Sequence, residues 1–512
     1  MRKTYIFMCL AASLLFASCI DDKGNYDYVS GDEVMPVSIS GLTKDTTVQQ
    51  GSTLVLEAGK HFKVNNDDPS RYSYEWSITE ATTAGFLPTR TYIGKEENLN
   101  YQVKLAAGEW TLTFQVWDKQ KDLYTKAQTH LNVVASPLDN GWYVLKDQDG
   151  YTDFDYITND GKIYPDVLAP SEQKVKGKAV KMIYQNERYY HLQKNEDGTS
   201  TTLTNQKALH ILTTEDFCTF NAKDLKLFKS YKDQFYSAPS VCVPQDIDIS
   251  GFAMNVFLVN NNQIHTIYGM SSNIGKFAAP IVGDLDIYPC MVNNAMYELV
   301  FDRKSRSFFS ARAGGSTLTP FTAPAPNSSV PESVSNMPYD MVKMCAGQGR
   351  NYSGDYGFAL MKGINDGKTY LAHLRYDYSG TYSTYPIMTF LEVPENSGLL
   401  KNECIACPAS GEFIYYSIGN KLYTYTNASG IEQRDHLQLT LPENETISYM
   451  FNYRGAYGSN YNYLAVLSNT ANGWKLRIYE PAGVDIEEIK QEPIAVYSGT
   501  GTGRYVMYRT NM

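Results

Sequence analysis

Four closely spaced aspartates, Asp147, Asp149, Asp153 and Asp155, form the densest acidic group in the chain. Carboxylates at alternating positions around Gly150 offer the oxygens that calcium takes, but the spacing departs from the EF-hand loop. Asp149-Gly150 reads equally as a hairpin turn, with the other aspartates facing solvent. Both readings stand at this point. Cys404-Ile-Ala-Cys407 is the only tight cysteine pair; no second C-x-x-C or close His pair follows to complete a zinc site, and the βαβ setting of a thioredoxin-type site is missing. A local disulfide or buried thiols are expected there. The histidines are scattered singly, and carboxylates for glycoside hydrolysis cannot be paired from sequence. H-E-x-x-H, G-x-S-x-G, Walker and Rossmann signatures are all missing. No catalytic residue and no cofactor are therefore expected.

The remaining candidate is Cys19. Basic Arg2 and Lys3 lead into an apolar run from Tyr5 to Phe16, and small Ala17 and Ser18 precede the cysteine. The run is shorter than the roughly 20 apolar residues of a membrane-spanning helix, so it reads as a processed leader. The segment resembles a bacterial lipobox, with Phe16 where Leu is usual, which implies acylation of Cys19 and a lipid anchor. Behind it, the acidic stretch with Asp21 and Asp22 resembles the export signal of Bacteroidota surface lipoproteins. An outer-membrane protein facing the cell exterior is the expectation.

The net charge is −10, and −12 once Arg2 and Lys3 leave with the leader. Without a Lys/Arg-rich run, this balance argues against a nucleic-acid partner, and it leaves the lipid as the sole membrane contact. The chain has 41 tyrosines against 5 tryptophans. Tyrosine suits half-buried strands, so the excess predicts β structure before it predicts a ligand platform.

Those elements divide in two. Residues 1–18 form the leader and 19–35 an acidic tether. Residues 36–135 show short alternating strands, including Pro36 to Ser40, Tyr72 to Ile78 and Trp110 to Trp117, with Trp76 as the expected core tryptophan. That pattern is immunoglobulin-like. Residues 141–512 repeat an apolar strand, a polar turn and a second strand, as in Val256 to Tyr268 and Glu412 to Tyr425. Hairpins at such intervals predict a β-propeller of about seven or eight blades. The strand Arg504 to Arg509 is placed to complete the first blade and hide an edge. Stacked β-sandwiches are the alternative architecture.

The run from Gly108 to Asp118, with Leu123-Tyr124, Gly141 to Asp147 and Gly150 to Tyr156, resembles the PKD-like family of Bacteroidota surface lipoproteins. Such proteins are typically encoded beside SusC/SusD-like importers. The resemblance implies an accessory nutrient-binding or docking component of such an importer, with a peptide or a glycan as ligand. Its motifs are structural, so it brings no catalytic residues. Two other readings are a glycan-cleaving hydrolase or lyase built on the propeller, and a purely structural interaction protein.

Overall fold

The computed structural model describes residues 46–49, 52–57, 69–80, 89–103, 105, 108–134, 138–169, 174–195, 197–251, 254–270, 275–347, 356–376, 384–408, 411–428, 430–432, 434–454, 462–483 and 486–510. The leader, Cys19, Asp21, Asp22 and the strand expected at Pro36 to Ser40 lie outside them. Among the described residues, regular structure is β apart from short 3-10 turns. The fold is all-β, an immunoglobulin- or PKD-like sandwich followed by a β-propeller. Two compact units emerge, the first built mainly from 53–101 and 108–132, the second from 133 to the C terminus.

In the first unit, a five-stranded sheet runs in the order Thr46–Gln49, Leu123–Val134, Gly108–Asp118, Tyr72–Glu80, Arg90–Gly94, and Thr53–Leu56 pairs with Leu99–Gln102. Trp76 is fully buried, as its expected role requires. Its ring stacks on Phe114 with centroids 4.2 Å apart, and its Nε1 donates to Glu96 O at 3.0 Å. A buried indole must satisfy that N–H, and here a main-chain carbonyl does so.

The second unit contains seven successive antiparallel sheets among the described residues. The first joins Thr502–Arg509 to Gly141–Gln148, Tyr151–Thr158 and Ile163–Tyr164. Blades two to seven begin with the innermost strands Ala179–Lys194, Pro244–Ile249, Val292–Asn293, Tyr339–Ala346, Cys404–Ala406 and Thr446–Arg454. The third sheet has three strands; in place of a fourth, Ala278 N and Ile281 N donate to Thr266 O and Ile264 O.

Strand alternation explains why the ring forms. Successive side chains point to opposite faces of a strand. In Gly141–Gln148, Tyr143 and Leu145 enter a core with Met182 and Leu209 of blade two, whereas Trp142 and Val144 enter a core with Phe451 and Trp474 of blade seven. Each further blade boundary has its own apolar cluster. Because both faces of most blades are buried, the strands read as apolar runs rather than as clean alternation. The C-terminal strand occupies the innermost place of the first sheet, so closure rests on residues from both ends of the unit.

Candidate functional site

The acidic hairpin is built by the turn between Gly141–Gln148 and Tyr151–Thr158. Asp149 (φ 51°) and Gly150 (φ 82°) both have positive φ, which a type I′ hairpin requires and Asp-Gly supplies. The other three carboxylates diverge. Asp147 accepts from Ala179 N at 2.7 Å and pairs with Arg504 at 2.6 Å. Asp153 accepts from Phe154 N and Leu168 N, at 2.6 and 2.8 Å. Asp155 lies 2.6 Å from Lys146 Nζ and accepts from Trp474 Nε1 at 2.9 Å. No group of three metal-ligating side chains capable of holding an ion occurs among the described residues. The expectation that the other aspartates face solvent is corrected, since Asp155 is fully buried and Asp147 and Asp153 are partly buried and hydrogen-bonded, while Asp149 at the turn is exposed.

Lys146 is also fully buried and lies 2.7 Å from Asp166 as well. Desolvation pulls its pKa down, but Asp155 and Asp166 outweigh it and keep the ammonium charged. Asp153 feels the same Lys146 ammonium only weakly. Burial pushes its carboxyl up to about 7, against which the amides of Leu168 and Phe154 act only in part. An acid whose folded pKa lies above its unfolded value of about 4 costs stability as pH rises between the two values. Asp153→Asn is isosteric with the protonated acid and keeps the acceptor. Denaturant titration should find it more stable than the parent by a few kcal/mol at pH 8 and equal to it at pH 4; an equal gain at both pH values would refute a titrating Asp153.

A second constellation was missed in the sequence. The innermost strands bring Lys181, Asp246, Asp248, Cys345, Cys404, Tyr449 and Tyr505 to the propeller axis, and Cys290 arrives just ahead of Val292–Asn293. Lys181 Nζ is 2.7 Å from Asp246 Oδ1. Burial would lower its pKa, but Asp246 and then Asp248 raise it overall. Tyr449 and Tyr505 lie with ring centroids 4.8 Å apart. Glu298, on the next strand out in blade four, is fully buried and accepts from Asn293 Nδ2 at 2.6 Å. Desolvation, then Asp248, pushes its pKa well above the usual carboxylate range.

The thiols are held protonated. Burial raises Cys290, reinforced by Asp246, and pushes Cys345 up to about 12. Cys404 is raised in the same way, and its Sγ donates to Ser448 O at 3.2 Å. All six described cysteines are free, so Cys404 and Cys407 follow the buried-thiol branch of the expectation and not the disulfide branch. A protonated thiol is a poor nucleophile and a poor metal ligand. The axis thus offers a Lys–Asp ion pair and a tyrosine pair, with the buried carboxyl of Glu298 one strand out. The one sequence signal was aspartates alternating with isoleucines in Asp246 to Ile249, which a blade register would have turned inward.

The model of the PKD-like family matches residues 19–188. The match covers the tether, the sandwich and the first blade's consecutive strands, and ends within the innermost strand of the second. Among solved structures, a quinonprotein alcohol dehydrogenase-like protein from Bacteroides thetaiotaomicron is 11% identical, with 92% of this chain and 99% of that one covered and a TM-score of 0.47. The WD40 domain of SCAP from fission yeast is 7% identical, covering 63% and 74%, TM-score 0.32. The PQQ-bound aldose sugar dehydrogenase from Streptomyces coelicolor is 13% identical, covering 57% and 93%, TM-score 0.26. At these values none of the three transfers a chemistry to this chain. No match was found among curated proteins.

Proposed function

We propose that this protein is a lipid-anchored component of the outer cell surface that binds a nutrient for, or docks onto, a SusC/SusD-like outer-membrane importer. The observation that supports it most is that the PKD-like match begins at Cys19, where the leader ends and acylation would place the anchor. The propeller would present its loops to the medium. Co-purification of the tagged protein from its native outer membrane tests the partner, and recovery without any importer component would count against the reading. Cys19→Ala should move essentially all of the protein from the membrane fraction to the soluble fraction, since no helix among the described residues is long and apolar enough to cross a membrane. Continued sedimentation with membranes after leader cleavage would refute the tether.

A second reading, a glycan-cleaving hydrolase or lyase, draws on Glu298, because a buried carboxyl whose pKa is raised by desolvation and by Asp248 has the character of a general acid. Turnover of an oligosaccharide panel that disappears in Glu298→Gln would establish it. No turnover in the parent protein leaves the binding reading in place.

A further inference from the structure

The two inner strands of the second blade continue past the rest of it. Ala179–Lys194 and Ser200–Thr213 pair as far as Lys194 and Ser200, whereas the third strand, Phe217–Asn221, pairs with residues 208–212 alone. Among the described residues, 200–206 therefore carry no strand on their outer edge. Asn195 N donates to Thr199 O at 2.9 Å, and antiparallel pairs alternate between bonded and non-bonded. The pairs 193/201 and 191/203 thus exchange the ladder bonds. Ser200 and Thr202 turn their N–H and C=O groups to the open edge. Asn195 Nδ2 also donates to the Thr199 and Thr201 hydroxyls, at 2.8 and 3.0 Å, which stiffens the turn.

An open edge is a template for another strand, and proteins normally guard it with Lys, Pro or other charges. Thr199-Ser200-Thr201-Thr202-Leu203-Thr204-Asn205-Gln206 has none of these, whereas the neighbouring strand carries Glu187, Arg188 and Lys194. The run is rich in threonine, which favours strands, and Ser200, Thr201, Thr202 and Thr204 are exposed. Asn205 has φ 53° and Gln206 Nε2 donates to Thr204 O, so the regular edge ends at Thr204. A two-stranded ribbon is marginal in water, and a third strand would stabilise it.

We propose that the edge at residues 200–204 is a strand-addition site for an extended, uncharged peptide. Only a polypeptide offers N–H and C=O groups at the strand repeat, which a glycan lacks. A second copy is disfavoured because each chain has a net charge of −10. This goes beyond the importer reading and stands without it, since capture is measured on the isolated chain.

The probe is a synthetic Thr-Val-Thr-Val-Thr-Val peptide with acetylated and amidated termini, added to the full-length protein and followed by amide hydrogen exchange. At saturation, the Ser200 and Thr202 amides should exchange about tenfold more slowly. The slowing should vanish in Thr202→Pro, which removes an N–H the inner ladder does not use. It should vanish equally when the peptide is N-methylated at alternate residues, a control that leaves the protein intact. Unchanged exchange at 200–204 overturns the proposal. So does slowing that grows with protein concentration without peptide, which would assign the edge to a second copy, or slowing produced by an oligosaccharide of similar length.

Discussion

Lys146→Met should destabilise the propeller by about 3–5 kcal/mol, the cost of leaving buried carboxylates without their cation. Lys146 and Asp155 are both fully buried, and Asp155 accepts from Trp474 of the seventh blade, so this charge cluster spans the boundary between the last and first blades. The surrounding packing leaves little room to relax. A Cβ on Gly499 would lie 2.5 Å from the Trp474 ring and 2.6 Å from Asp155 Oδ2. Gly499 thus allows the indole to reach the carboxylate. Urea titration followed by far-UV circular dichroism measures the effect. Adding Asp155→Asn to Lys146→Met should recover part of the loss by removing one stranded charge. A single-variant loss below about 1 kcal/mol would mean that blade closure does not depend on the cluster.

Trp76→Ala should cost the sandwich about 3–5 kcal/mol through the cavity left by a fully buried indole. Phe114 loses its stacking partner and Glu96 O loses a donor. We propose that residues 36–135 and 141–512 unfold as separate cooperative units. Calorimetry should then show one transition lowered and the other nearly unmoved. A single transition shifted as a whole would show that the two halves unfold together.

Much of the architecture was readable from local patterns. The hairpins at Val256 to Tyr268 and Glu412 to Tyr425 appear as Val256–Asn260 with Gln263–Ile267 and Phe413–Ile418 with Lys421–Thr426. Turn residues and apolar runs specify such units through contacts of short range. The closing strand was readable too, as Thr502–Arg509 paired on Gly141–Gln148. What misled was the assumption that a polar residue on a strand meets water. Asp155 occupies a position that would face solvent in an open sheet, and in the ring it is buried against Trp474 of the neighbouring blade.

The amino-acid sequence by itself determined the β character and the hairpins, because each follows from residue type and spacing within a few positions. Only the tertiary structure decided that the sheets of the ring number seven among the described residues, that Lys146 is paired within its core, and that Lys181, Asp246, Cys290, Cys345, Tyr449 and Tyr505 come together. The reason is distance along the chain. These groups stand on different blades and meet through inter-blade packing, which local periodicity does not encode.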